Sequence, residues 1–178
     1  MWRRGPAGVR DDRFVLEPLG PAHNDADHRA WTSSIEHIRA TPGFTAELWG
    51  GDDWPVPMTA AENLADLVDH AEEFARGEAF AYTVLDPVDG DVIGCVYVDP
   101  DDTADARCRL WVRADRAELD PHLEQLVRHW LAGPDWAFAT VRLPGRDDGP
   151  LTTSSPPSSR GNRSAPGPAG APPPPGPR

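Results

Sequence analysis

The sequence predicts an α+β domain, a central and mostly antiparallel sheet flanked by helices, and three observations predict it. Between residues 79 and 113, three apolar runs follow one another across short turns rich in Asp, Gly and Pro, the pattern of an antiparallel meander. Two further stretches, around 60–76 and 121–131, repeat their apolar residues at helical rather than strand spacing. Finally, residues 151–178 contain no Asp or Glu and only one large apolar residue, Leu151, so the core must be built from what precedes them. The expected organisation is an N-terminal arm over 1–13, one domain over 14–145 and a disordered Pro-rich tail over 146–178. Eleven of the 21 prolines fall at or after Pro144, and the run 172–175 gives the tail polyproline II character.

Each element has a local cause. Phe14-Val15-Leu16 opens a β-favouring run stopped by Gly20-Pro21. Residues 22–40 read as a helix passing into a second short one, with Ser33 and Glu36 at capping-box spacing and Thr41-Pro42-Gly43 as the stop. The segment 44–57, with Trp49 and Trp54 among prolines, has neither period and reads as an aromatic-pinned loop that would line a cleft or anchor itself. Thr59 and Glu62 form a second capping box; Leu64, Leu67, Val68, Ala71 and Phe74 then share one face, and Gly77 ends the helix. The period changes to two for 79–85, 92–98 and 107–113. Asp120 is the expected N-cap of the next helix and Pro121 its first residue, with Leu123, Leu126, Val127, Trp130 and Leu131 on one face. Residues 136–141 alternate large and small and are expected to return as a strand.

Composition removes several chemistries. All 17 basic residues are arginine, so a Walker P-loop, a lysine Schiff base and the kinase strand lysine are excluded. Net charge is −12, and because the tail holds three arginines, residues 1–150 carry 14 Arg against 29 acids, a charge of −15. Such a domain repels phosphate backbones, so neither nucleic acid nor a membrane surface is expected as a partner. The start, Met1-Trp2-Arg3-Arg4 followed by Gly and Pro, has no secretory character, and the two cysteines, Cys95 and Cys108, are expected reduced in a cytoplasmic protein. No Cys or His spacing points to a metal; His122 and His129 share a helix face without a third ligand.

The order strand, helices, three-strand meander, helix, strand, together with Val92-Ile93-Gly94-Cys95-Val96-Tyr97, Leu110-Trp111-Val112-Arg113 and Val141-Arg142-Leu143-Pro144-Gly145, resembles the GNAT superfamily of acyl-CoA-dependent N-acetyltransferases. The resemblance covers about 14–145. It implies a GNAT-like fold, acetyl-CoA as acyl donor and an amine acceptor, a small molecule or a peptide. It also implies that the strand holding Leu110, Trp111 and Val112 presents free backbone to the pantetheine arm, across a splayed gap from the strand near 136–141. The turn that follows would wrap the pyrophosphate, with Arg113 at its opening and Arg116 beside it. The family pattern of glycine and a small residue in that turn is replaced here by Arg116 and Glu118, and Asp115 and Asp120 add negative charge. The C-terminal segment that often supplies a tyrosine acid is replaced by the Pro-rich tail, so the catalytic acid and base are unassigned; the acids nearest by sequence are Asp99, Asp102 and Asp105. The reading is therefore an N-acetyltransferase, with a catalytically inactive GNAT-like binding or interaction module as the alternative.

Overall fold

The computed structural model describes residues 4–45, 54–147 and 151–152, the last pair by backbone alone. Trp49 and the tail from 153 onward, both the subject of sequence expectations, lie outside the described residues. Among the described residues seven strands form one sheet in which sequence order is spatial order: β1 (Val9–Arg10), β2 (Val15–Pro18), β3 (Phe80–Leu85), β4 (Val92–Asp99), β5 (Ala106–Val112), β6 (Thr140–Arg142) and β7 (Leu151–Thr152). All neighbours are antiparallel except β5 and β6, which run parallel because a helix returns the chain between them.

The helices are α1 (Asn24–Thr32), α2 (Ile35–Ala40), α3 (Ala60–Arg76) and α4 (Asp120–Leu131). The capping box of α3 is present: Thr59 Oγ1 accepts from the Glu62 N–H at 3.2 Å, and Glu62 Oε2 accepts from the Thr59 N–H at 2.7 Å. Such a cap stabilises by about 0.5–2 kcal/mol. Gly77 closes the helix at φ 66°, a left-handed position that favours glycine.

Helices cover both faces of the sheet, which explains why β3 and β4 read as continuous apolar runs. On one face Leu123, Val127, Trp130 and Leu131 of α4 pack with Phe80, Tyr82, Val96, Leu110 and Val112. On the other, Ala30 and Trp31 of α1, Ile38 of α2 and Leu67 of α3 pack with Ala81, Cys95 and Trp111. Cys95 and Cys108 are both buried and free, on opposite faces. Burial pushes both thiols up, Cys108 to about 12, so neither is a nucleophile at neutral pH.

Three expectations need correction. Ser33 and Glu36 form no capping box: Ser34 stands at the cap of α2 without a side-chain cap bond, while Ser33 Oγ donates to the Ala30 carbonyl at 2.9 Å, satisfying the end of α1. Asp120 is the first residue of α4, not its N-cap; its carboxylate is taken by Arg146. Residues 136–139 are not strand. Trp136 and Phe138 instead stack at 5.2 Å between ring centroids beneath α4, and Ala137, at φ 50°, breaks the extended run, leaving only Thr140–Arg142 to pair. At the two edges of the sheet β1 pairs with β2 and β7 with β6.

Candidate functional site

The register of β4 and β5 determines which way each peptide of β5 faces. Cys95 is opposite Trp111 and Tyr97 is opposite Arg109, and the Arg113 N–H donates to the Ile93 carbonyl at 2.8 Å. In an antiparallel ladder the bonded pairs alternate, so odd-numbered residues of β5 turn their N–H and C=O toward β4 and even-numbered ones turn them away. On that second edge β6 pairs only at Ala106 and Arg107 and ends at Arg142. Among the described residues no strand lies opposite Leu110 and Val112. The β5 edge is thus closed at its beginning and open at its end, the splayed arrangement expected from the resemblance. Trp111 differs from its two neighbours: its backbone faces β4, and its side chain packs on the opposite face of the sheet from theirs.

A 3-10 segment over Ala114–Leu119 joins the open end of β5 to α4. Its first N–H, from Ala114, donates to Ser34 Oγ at 3.0 Å, and that of Arg116 to the Arg113 carbonyl at 2.9 Å. The side chains of both arginines are bound by acids. Arg113 bridges Asp115, at 2.6 Å, and Asp91, and bonds to Asp115 and Asp91 hold its guanidinium charge more firmly than usual. Arg116 reaches Asp86 at 3.2 Å.

Arg146 lies at the same end. Its side chain is only 5 % exposed and occupies the space between β5 and the start of α4. Nη1 reaches Asp120 at 2.7 Å and Glu124 at 2.6 Å, while Nη2 donates to Asp120 at 2.8 Å and to the Leu110 carbonyl at 3.3 Å. Burial works against the charge of Arg146, but the bonds to Asp120 and Glu124 outweigh it and hold the arginine protonated. Arg128 extends the network to Glu124 and Asp147.

The opposite face of β5 is aromatic. Trp54 packs at 5.8–6.5 Å from the rings of Phe44, Trp31, Tyr97 and Trp111, a half-buried member of the apolar layer. The Arg109 guanidinium lies over Phe44 and Tyr97 and pairs with Asp99 at 2.8 Å. The carboxyl of Asp27 is buried there beside Asn63, and burial raises it above the usual carboxylate range. Of the acids nearest by sequence, Asp99 is held by Arg109, and Asp105 accepts the backbone N–H groups of Ala139 and Thr140. Asp102 lines an outer groove with Asp101, Thr103, Arg107 and Arg142. Tyr82 donates to the Pro6 carbonyl at 2.9 Å, and Tyr97 accepts from the Trp111 indole at 3.4 Å; burial raises both phenols, so each stays protonated.

No family model matches the sequence, and no curated protein matches it significantly. Solved structures do match. Ribosomal L7/L12 α-N-protein acetyltransferase RimL, in complex with coenzyme A, superposes with TM-score 0.52 at 14 % identity, over 76 % of this chain and 71 % of its own. Microcin C7 self-immunity acetyltransferase MccE, in complex with acetyl-CoA and AMP, gives TM-score 0.53 at 12 % identity, over 76 % and 72 %. An acetyltransferase from Salmonella typhimurium, described as modifying the N-terminal serine of ribosomal protein L7/L12, gives 0.51 at 13 %, over 74 % and 70 %. The fold is that of the GNAT acetyltransferases.

Within the GNAT fold, the residues brought together are Leu110, Val112, Arg113 and Arg116 at the open end of β5, joined by Ser34 and Arg146, which sequence reasoning missed. The i,i+4 spacing of Glu124 and Arg128 was a readable signal for part of the network, whereas Arg146 arrives from across the sheet without a local pattern. The open N–H edge suits the amide-bearing pantetheine arm of CoA. The phosphate end suits it less well, because Arg113 and Arg116 already hold carboxylates and Asp120 and Glu124 stand at the start of α4.

Proposed function

We propose that the chain is an acetyl-CoA-dependent N-acetyltransferase that places its acyl donor along the open end of β5. The observation that carries this reading is the edge of β5 at Leu110 and Val112, whose backbone N–H donors turn away from β4 and, among the described residues, meet no partner strand because β6 ends before them. A fixed N–H in a gap walled by apolar residues stabilises negative charge as it develops on a carbonyl oxygen, without reorganisation at the moment of reaction. Leu110 is assigned this role, with Val112 holding the arm beyond it; Trp111 serves by packing and cannot contribute its backbone. Bound acetyl-CoA would supply the thioester; attack by the amine on its carbonyl carbon would form the C–N bond as the C–S bond breaks, with coenzyme A leaving as its thiol and the proton lost by the amine balancing the one the sulfur gains.

Arg113 and Arg116 are assigned to the pyrophosphate, which each would meet by exchanging a carboxylate for a phosphate oxygen. The exposed partner Asp115 makes that exchange cheap, since surface pairs contribute only about 0–1 kcal/mol. The acceptor is an amine on a small molecule or a peptide. With a domain charge of −15, a cationic amine is favoured.

The test is thermal unfolding with and without millimolar acetyl-CoA. Ligand at a hundred times its dissociation constant stabilises by about 2.7 kcal/mol, so a clear rise in Tm is expected. An unmoved transition would favour the binding-module alternative.

A further inference from the structure

We propose that Arg146 is a latch: its guanidinium closes the open edge of β5 in the resting protein, and acyl-CoA enters only when Arg146 lets go of Leu110. The proposal rests on the acetyl-CoA reading above and adds a resident competitor for the same backbone.

The Leu110 carbonyl faces away from β4 at a level β6 does not reach, so it is an acceptor any extended ligand along this edge would use. Arg146 Nη2 already donates to it at 3.3 Å. The arginine is held there from the other side, by two bonds to Asp120 and one to Glu124, and Glu124 is itself steadied by Arg128. A buried guanidinium fixed by two carboxylates is a strong contact in its own right. Its grip is nevertheless incomplete. Nε is buried without a hydrogen-bond partner among the described residues, although the side chain as a whole is 95 % buried by its 5 % exposure. An orphaned donor raises the energy of the closed position and lowers the cost of leaving it.

Asp120 and Glu124 give the latch a second function. While Arg146 sits between them it offsets one of their two charges; if it departed completely, Asp120 would lose its guanidinium partner and Glu124 would keep only Arg128, so more negative charge would face the phosphates at the start of α4. Entry of the ligand therefore requires Arg146 to turn off Leu110 while remaining near the acids. The closed state disfavours binding through competition at Leu110, and complete departure disfavours it through charge.

The decisive experiment is calorimetric titration of acetyl-CoA into the full chain and two variants. Asp120→Asn with Glu124→Gln removes the anchors and leaves the arginine; adding Arg146→Gln removes the plug without stranding acids. Both should bind acetyl-CoA more tightly than the parent, by about tenfold or more. Pantetheine, which has no phosphate, is titrated in parallel and should show the same direction of change. Equal or weaker binding by the variants overturns the latch while leaving the acetyl-CoA reading intact. A gain for acetyl-CoA that pantetheine does not share also overturns it, since repulsion of phosphate by Asp120 and Glu124 would then explain the whole effect. If no form binds acetyl-CoA, the function reading falls and the latch with it. Should the double variant, which leaves the guanidinium buried without its two carboxylates, fail to fold, the triple variant alone decides, because it removes charge and counter-charge together.

Discussion

The two ends of β5 share a strand, a neighbour and similar burial, yet they are held differently. At Ala106 and Arg107 the strand is paired on both edges, and Asp105 fastens β6 by accepting the N–H groups of Ala139 and Thr140 at 2.7 and 2.9 Å. At Leu110 and Val112, among the described residues, only β4 pairs, and on the other edge an arginine side chain meets the Leu110 carbonyl. The difference shows how a sheet leaves backbone groups without a strand partner: a strand continues past the end of its parallel neighbour, and in the proposed function the groups left over are the recognition surface.

The largest effect on this contrast is expected from Gly94→Ala. A Cβ at Gly94 would stand 2.2 Å from the Trp111 carbonyl oxygen, and this atom, being backbone in a paired strand, cannot swing aside. The substitution should push β4 from β5 at the open end and destabilise by at least the upper part of the ~1–3 kcal/mol typical of overpacking. Denaturant unfolding checks this, and a loss below ~0.5 kcal/mol would show that the approach is looser than described.

Asp105→Ala acts on the closed end. It removes a charged acceptor from two N–H groups, and because the carboxylate is exposed the expected loss is about 1–2 kcal/mol. Faster amide exchange should be confined to Ala139 and Thr140; equal acceleration at Leu110 would mean that the two ends are not independent.

Arg113→Ala should have the smallest effect on stability, about 1 kcal/mol, because both of its carboxylate partners, Asp115 and Asp91, are exposed and screened. Its effect should appear in ligand affinity, as a weaker response to acetyl-CoA with an almost unchanged melting temperature of the free protein. A variant that loses stability but responds normally would return Arg113 to a purely structural role.

How much of this was legible in the sequence follows from the range of each interaction. The meander and α3 were readable because period two, the Thr59–Glu62 box and Gly77 are local signals. The end of the domain was not. Phe138 and Trp136 alternate with small residues as a strand would, but stacking under α4 and the left-handed Ala137 decided otherwise. Asp120 had every local mark of an N-cap, and a residue 26 positions later claimed its carboxylate. The placement of Leu110 and Val112 followed from the family resemblance, whereas which peptides face the gap needed the register with β4. Trp111, included with them by sequence position, is set apart by that register alone. The arginines of the turn were visible as candidates, but their partners Asp86 and Asp91 come from the preceding hairpin, and no spacing within the turn reveals them.

The central claim is that the open end of β5 receives acyl-CoA through its backbone. Amide hydrogen exchange measured residue by residue, with and without acetyl-CoA, tests it most directly. Protection should rise at Leu110 and Val112, with Trp111, already bonded to β4, changing little. Unchanged exchange at Leu110 and Val112 under saturating acetyl-CoA would contradict the account, because the ligand would then be binding elsewhere or not at all.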